Sequence, residues 1–531
     1  AEGGAAAAAG GGLASGSKIA VDPMLVSFQN CSNYEEACEK SSMQLVFLEK
    51  NLVDQIWEDQ PEFSSHPIQA HPLEYAGKPS SEKLVEIREE MVKAGADAYI
   101  VAALDEVAWL LNLRGGDVPH NPVFRAYAVV RADAGGGATL CVDGGRLEPA
   151  ARQQLETSNI TIRPYTSILE VIKEISDEGL KIGFDPHWCP AALARAVPAG
   201  LRATMDSPLA LPKALKNPAE LEGLRRSHVR DGAALTCFLA WLERCLETSD
   251  GGGRGWPLTE TSAAAELEAF RARVRGHRGP SFPTICGFGP HGAVIHYQAE
   301  EATAAPLAAG GVLLLDSGAQ YVDGTTDVTR TLWLPGPGAE RPEEKVVRAY
   351  TRVLQGHIAL ARAIFPEGTL GSKLDPLARL ALWADGLDYK HGTGHGVGAF
   401  LNVHEGPQGI SYRHRLNEKG FQIGMTTSNE PGYYQENEFG IRIENICICA
   451  EANVPNNFGG VRYCCLETIT LCPIQRQLID SSLLSADEVK WINEYHAEVL
   501  EKLSPLVKQI ENEVDCGNYF HDYLVRETLP L

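Results

Sequence analysis

The sequence predicts a mixed α/β (α+β) chain in three segments, and three observations carry this. Residues 72–212 alternate helix-like and strand-like runs, the pattern of an α/β layer. Residues 213–531 open on a long helical pattern and continue as short β-type runs broken by Gly and Pro. Residues 1–71 hold one short apolar run, Leu45–Leu48, and a Pro-rich end at Pro61, Pro67 and Pro72, too little to bury a core of their own.

The elements follow in chain order. Ser81–Ala94 has helical spacing, with Leu84, Ile87 and Met91 on one face, and Gly95 ends it. Asp97–Ala103 is a β-type run, and Leu104–Leu111 returns to a helical pattern. Tyr127–Arg131 and Ala138–Val142 read as strands, Ile168–Ile175 as a helix and Lys181–Phe184 as a strand. Asp206–Leu215, with Pro208 and Pro212, reads as an interdomain connection. Ala219–Thr248 predicts a long helix. The Gly251–Gly255 loop after it lacks the Lys-Ser/Thr ending of a phosphate loop and reads as a connector. Gly311–Asp316, Asp327–Leu334, Gly440–Cys449 and Tyr463–Thr470 read as strands, and Asp487–Leu500 as a closing helix. No repeat of solenoid period is present.

Composition narrows the class. The chain has 531 residues and a formal net charge of −22, from 69 acidic and 47 basic side chains. That balance excludes a basic nucleic-acid sleeve and an anionic membrane surface as partners. No run of 18 apolar residues exists, so no transmembrane helix is predicted. Thirteen cysteines, an odd count without a CxxC pair, fit buried thiols in a reducing compartment. Asn159-Ile-Thr161 matches the glycosylation triplet and Asn30-Cys-Ser32 resembles it, both at the frequency chance supplies. The chain starts at Ala1, and residues 1–17 are nearly all Ala and Gly, which reads as a linker or a transit-peptide remnant.

The chemistry concentrates in the third segment. Val312–Asp316 is an apolar run ending in a charge. Turn residues follow, and Thr325–Thr331 begins another strand, so Asp316 and Asp327 read as carboxylates on adjacent strands of a hairpin. Two facing carboxylates repel unless a cation lies between them. His391-Gly-Thr-Gly-His395-Gly-Val-Gly398 places two histidines in Gly-rich backbone that other groups can approach, and His404 follows. Glu430 precedes a Pro-Gly turn. In Gly440–Asn445, alternation puts Arg442 and Glu444 on one face and Ile441 and Ile443 on the other. Two Asp, two Glu and one His make a hard donor set. It suits two divalent cations, Mn²⁺, Co²⁺ or Mg²⁺ better than structural zinc. Two such ions activate water and polarise a carbonyl.

Asp316–Thr331, His391–Pro407 and Asn429–Asn445 closely resemble the Xaa-Pro aminopeptidases, the eukaryotic long-form aminopeptidase P group of metallopeptidases. The spacing is part of the resemblance, with eleven residues from Asp316 to Asp327 and fourteen from Glu430 to Glu444. Asn112–Phe124 resembles the second domain of that group, and Glu49–Trp57 the end of its first. The resemblance implies a truncated creatinase-like remnant over 1–71, a creatinase-like α/β domain over 72–212 and a pita-bread catalytic domain over 213–531. It departs at the front, where only about 50 residues resemble a domain the family carries at full length.

The resemblance further implies hydrolysis of the N-terminal Xaa-Pro bond of peptides by a hydroxide activated between two metal ions, Mn²⁺ first and Co²⁺ or Zn²⁺ next. The Xaa-Pro bond is a tertiary amide with no N–H and a fixed φ, which defeats enzymes that read extended N–H patterns. By matching position, Asp316, Asp327, His395, Glu430 and Glu444 hold the ions, with Asp327 and Glu444 bridging. Glu430 also moves a proton to the departing nitrogen. His296 and His404 contact substrate and the oxyanion, and His391 lines the proline pocket. Arg442 orients Glu444 or its neighbours, and Arg114 is a further candidate for closing the peptide site. His291 reads as loop, and Cys447 and Cys449 as core residues. Peptides with proline second are the implied partners, with a homodimer and a cytoplasmic location, a plastid or other organelle being the alternative. A prolidase restricted to Xaa-Pro dipeptides and a non-catalytic peptide-binding module are the competing readings.

Overall fold

In the computed structural model, residues 15–133, 137–247, 258–336, 341–413, 418–514 and 516–531 are described. The Gly251–Gly255 connector lies outside them. The chain divides into two compact units. The first comprises residues up to Ala70 together with Pro79–Asp117 and Val123–Leu209. The second comprises His71–Lys78, Val118–Pro122 and Ala210–Leu531.

The first unit is organised on a six-stranded sheet. In spatial order its strands are Arg202–Thr204, Ile182–Phe184, Ala98–Val101, Ala126–Arg131, Ala138–Val142 and Ile160–Arg163. The central Ala98–Val101 strand runs parallel to Ile182–Phe184 and antiparallel to Ala126–Arg131, so the sheet is mixed. Helices Ser80–Lys93, Leu104–Leu111 and Ile168–Asp177 fall within two residues of the spans their apolar spacing predicts. Ile168, Val171, Ile172 and Ile175 share one helix face and pack with Ile100, Val129 and Phe184. The N-terminal part joins this core: helix Phe28–Lys40 lies between the paired strands Lys18–Val21 and Gln44–Phe47, and Phe28 meets Phe184 edge-on at 5.4 Å.

The second unit opens on two segments remote in sequence, then on helix Ala210–Ala214. The predicted connection at 206–215 therefore contains a helical turn. Helix Pro218–Glu247 follows, 30 residues long and largely buried. With helices Glu260–Arg271, Glu344–Ala361 and Ala486–Val514 it encloses the main core. Helix Ala486–Val514 continues past Leu500 because Val499, Leu503, Val507 and Ile510 keep the apolar stripe going, with Pro505 inside it, and a further helix, Tyr519–Glu527, follows.

The sheets of this unit are small and antiparallel. Val312–Ser317 lies between Ile285–Phe288 and Val328–Trp333. The chain between the two Asp-bearing strands is no simple hairpin turn, since Ala319–Tyr321 and Gly324–Thr325 form a second sheet with His277–Pro280. A four-stranded sheet orders Ile364–Pro366, Tyr463–Thr468, Asn445–Glu451 and Thr426–Asn429. The single strand expected over Gly440–Cys449 is broken. Phe439–Arg442 pairs with Gly432–Gln435, and after Ile443 and Glu444 the chain enters the four-stranded sheet as Asn445–Glu451. Cys447 and Cys449 are buried in the core there, and all thirteen cysteines are free thiols.

Candidate metal centre

Each acidic side chain of the centre stands where a strand ends or changes sheet. Val312–Leu315 is buried, which fits its aliphatic sequence, and Asp316 follows opposite Thr329 of the neighbouring strand. Asp327 immediately precedes that strand. Glu430 follows strand Thr426–Asn429, and Pro431 carries the chain into the next strand, so the turn lies later, at residues 436–438. Glu444 occupies the break between its two strands. His395 is the middle residue of Gly394–Gly396. Glycine is required beside it, because a Cβ on Gly394 would collide with the Ser428 carbonyl oxygen. That close approach lets the His395 N–H donate to Ser428 Oγ at 2.9 Å and the Glu430 N–H donate to the Thr393 carbonyl at 2.9 Å.

Ligand-type atoms converge in overlapping groups, each within 4.8 Å: Asp316, Asp327 and Glu444; His395, Glu430 and Glu444; and Asp327, His395 and His404. His395 Nδ1 lies 2.9 Å from the Gly396 carbonyl, which can only accept, so Nδ1 carries the proton. Nε2 then presents a lone pair, 3.5 Å from Asp327 Oδ2 and 3.6 Å from Glu430 Oε1.

The electrostatics are strained. Four carboxylates share the site, and Arg442 is the guanidinium among them. Burial and the neighbouring carboxylates push Asp327 and Glu444 well above the ordinary carboxylate range. Burial raises Glu430 to about 7, with Arg442 pulling the other way. The adjacent His395 and burial hold His404 down at about 4, and the two rings meet edge-on at 4.3 Å. Burial holds His391 at about 3.

Arg442 is tied to two of the acidic side chains. Its carboxylate partner is Asp316, to which Nη2 donates at 2.6 Å, and it reaches Glu444 only through a hydroxyl. Nε donates to Thr329 Oγ1 at 3.2 Å, and Thr329 Oγ1 donates to Glu444 Oε2 at 2.7 Å. Nη1 donates to the Tyr434 hydroxyl at 2.6 Å, which donates to His391 Nε2 at 2.9 Å. His391 Nδ1 donates to the Gly392 carbonyl at 2.7 Å. Both ring nitrogens of a neutral His391 are thus engaged, leaving its ring for packing. His296 is exposed, yet near enough to His391 and His404 to lower both. Arg114 belongs to the first unit, where it is buried and donates to the Ala108 and Leu113 carbonyls.

Comparison with known proteins bears on this arrangement. Residues 222–451 match the model of metallopeptidase family M24, residues 462–531 its C-terminal region and residues 59–220 the creatinase/prolidase N-terminal domain. The chain is 43% identical to aminopeptidase P2 of Arabidopsis thaliana, covering 98% of this chain and 74% of that one. It is 46% identical to a probable Xaa-Pro aminopeptidase P of Laccaria bicolor, covering 92% and 75%. The crystal structure of the X-prolyl aminopeptidase of Caenorhabditis elegans, described as a cytosolic enzyme with a di-nuclear active site, superposes with a TM-score of 0.88. Identity to it is 36%, over 98% of this chain and 82% of that one. The chain belongs to the aminopeptidase P group of the M24 metallopeptidases.

The donor set of this M24 metallopeptidase fits two divalent ions. Asp316 Oδ1 is buried without a hydrogen-bond partner, and the His395 lone pair faces carboxylate oxygens rather than donors. Four negative charges and one Arg leave an excess that two M²⁺ neutralise. Several supporting residues carry no local sequence signal. Arg330, fully buried, donates to the backbone of Thr329, Glu444, Cys472 and Pro473, to Asn445 Oδ1 and to Tyr495 Oη. Asn445 Nδ2 donates to His357 Nε2, whose Nδ1 donates to the Asn429 carbonyl, tying together the residues beside Glu444 and Glu430. Glu405, next to His404, is held between the buried ammonium groups of Lys213 and Lys216.

Proposed function

We propose that this protein is a metal-dependent aminopeptidase that hydrolyses the N-terminal Xaa-Pro bond of peptides. The observation that carries the reading is the convergence of His395, Glu430, Glu444, Asp316 and Asp327 in a chain of the aminopeptidase P group. Asp316, Asp327 and Glu444 would hold one ion and His395, Glu430 and Glu444 the other. Asp327, 3.5 Å from His395, would be shared as well. Carboxylate-dominated ligation favours Mn²⁺. Two divalent ions supply the positive charge that makes water nucleophilic at neutral pH and polarises the scissile carbonyl.

The protein's own groups do the rest. Glu430 would take the proton that the attacking water gives up and pass it to the departing proline nitrogen. A proton is required there because an amide nitrogen is a poor leaving group until it is protonated. His404, held neutral, and His296 would donate hydrogen bonds to the carbonyl oxygen as it gains charge. His391, its nitrogens committed to Gly392 and Tyr434, offers an aromatic wall to the proline ring. Arg442 fixes Asp316 directly and Glu444 through Thr329. By likeness to the Caenorhabditis elegans enzyme we place the protein in the cytosol. No described helix is long and apolar enough to cross a membrane.

The test is cleavage of Xaa-Pro-Yaa tripeptides and Xaa-Pro dipeptides after reconstitution with Mn²⁺, Co²⁺ or Zn²⁺. Release of Xaa from the tripeptide, abolished in Glu430→Gln, is the expected result. Cleavage of dipeptides alone would make the protein a prolidase, and no cleavage with any ion would remove the enzymatic reading.

A further inference from the structure

Outside the metal centre, one buried carboxylate organises a loop that carries a substrate-contact candidate. We propose that Glu260 is a positioning residue, whose carboxylate gathers the 288–305 segment and thereby fixes the place of His296. The proposal rests on the reading of His296 given above.

Glu260 is the first residue of helix Glu260–Arg271, whose N-terminus is capped reciprocally by Thr259 and Ser262. The helix start is therefore fixed by other residues, and the Glu260 side chain is available for something else. It is fully buried. Oε1 accepts from the Phe288 N–H at 2.7 Å, and Oε2 accepts from the Tyr297 hydroxyl at 2.8 Å and the Ala305 N–H at 2.8 Å. His291 Nδ1 lies 2.9 and 3.0 Å from the two oxygens. All four donors come from a single stretch of chain. They are backbone at its two ends and side chains at 291 and 297, whose rings stack at 4.6 Å. His296 is the residue before Tyr297, inside the span so gathered.

The ends of the segment are also held by backbone, since Phe288 pairs with Leu313 and the Ala305 carbonyl accepts from the Glu260 N–H beside the Thr259–Pro306 bridge, but its middle lacks regular support. Its short 3₁₀ turn, Gly289–Ala293, leads to residues 294–297, which pair with no strand. The turn lies against strand Phe439–Arg442 so closely that a Cβ on Gly440 would collide with the Gly292 carbonyl. Backbone contact of that kind sets depth, whereas the Glu260 bonds to His291 and Tyr297 fix the middle of the segment beside His296. A carboxylate is the only side chain of this size that accepts from four donors, because an amide oxygen serves two and an amide nitrogen repels N–H and O–H groups. His291, which the sequence offers as plain loop, becomes a second member of the clamp.

The test is a double-mutant cycle on the Mn²⁺-loaded full chain, with Glu260→Gln, His296→Ala and their combination, read as kcat and KM on an Xaa-Pro-Yaa tripeptide. Glu260→Gln is expected to lower kcat/KM about 30-fold while two Mn²⁺ per chain are retained, an order of magnitude typical of a lost orienting partner. In the His296→Ala background the same substitution is expected to cost less than about threefold. Equal losses in both backgrounds would overturn the proposal, since Glu260 would then act on something other than His296. Tyr297→Phe, which removes one donor and keeps the ring, is expected to follow the same pattern at about five-fold, and covers the case in which Glu260→Gln fails to fold. Amide hydrogen exchange gives a readout independent of turnover. Peptides spanning 289–305 should exchange about tenfold faster in either variant, with peptides spanning 394–410 unchanged. Unchanged exchange at 289–305 would refute the clamp even if the tripeptide proved not to be the substrate, whereas faster exchange without turnover in the wild type would refute only the functional reading.

Discussion

Thr329→Val removes one hydroxyl of the metal centre, and with it the bonds to Glu444 and Arg442, with little change of shape. Thr329 is fully buried in strand Val328–Trp333, where valine is well suited. Its hydroxyl has one proton. Because Arg442 Nε can only donate to it, that proton goes to Glu444 Oε2, at 2.7 Å. Valine removes the donor, and a hydrogen bond to a charged group contributes about 1.5–3 kcal/mol. A metal ligand must be deprotonated, so the loss falls on the metal-bound, anionic form of Glu444. At 1.4 kcal/mol per decade the expected result is about 10–100-fold weaker metal binding. The assay is calorimetric titration of chelator-stripped protein with Mn²⁺ at pH 7.5. Thr329→Ser, which keeps the hydroxyl, should bind within about threefold of wild type. The sign with pH is also fixed. Losing a donor raises the Glu444 pKa further, so the deficit of Thr329→Val must widen as pH falls. Wild-type affinity in Thr329→Val would refute the claim that this hydroxyl supports Glu444 as a ligand.

Other perturbations follow from the same contacts. Arg330→Lys keeps the buried charge but has three donors where the five N–H groups of the guanidinium reach six acceptors; losing two or three hydrogen bonds at about 1–1.5 kcal/mol each predicts a thermal midpoint lower by about 5 °C, and a shift under about 1 °C in calorimetry would contradict this. Tyr434→Phe frees His391 Nε2 and one Arg442 donor, and should raise KM for Xaa-Pro-Yaa about five- to tenfold with a smaller effect on kcat; an unchanged KM would remove Tyr434 from the proline pocket's support. Burial lowers His228 to about 4, so the unfolded chain takes up its proton first and stability is lost as pH falls from about 6.5 towards 4. The stability difference between wild type and His228→Gln should therefore shrink by about 2 kcal/mol between pH 7.5 and 5.0 in urea unfolding, and a constant difference would show that His228 is not held neutral.

The residues of the candidate metal centre are readable because their local sequence is unusual. An aliphatic run ending in Asp316, and two histidines set among glycines, are hard to explain as packing alone, and glycine at 394 is demanded by the approach to Ser428. Helix-forming stretches such as Ile168–Asp177 were readable because their apolar stripe has a clear period. The partners of these residues were not, since nothing local links groups that are distant along the chain. Arg442 and Asp316 are 126 residues apart, and Thr329 and Glu444 are 115 apart. Alternation correctly set Arg442 and Glu444 towards the same hydroxyl, yet it could not reveal that the strand breaks at Ile443 to enter a second sheet. The helix read over Asp487–Leu500 runs on to Val514, where Pro505 is carried by the apolar stripe on either side. Glu260 carries no local signal, and its four donors emerge only when the 288–305 segment is folded against it.

The central claim is that four carboxylates and His395 form a two-ion centre. Crystals of the full chain grown with Mn²⁺ and measured at the manganese absorption edge test it most directly. The account predicts two anomalous peaks, with carboxylate oxygens of both Asp327 and Glu444 within ligand distance of each, Asp316 on one peak, and His395 and Glu430 on the other. A single peak, or peaks that leave Glu444 or Asp327 without a metal, would contradict it.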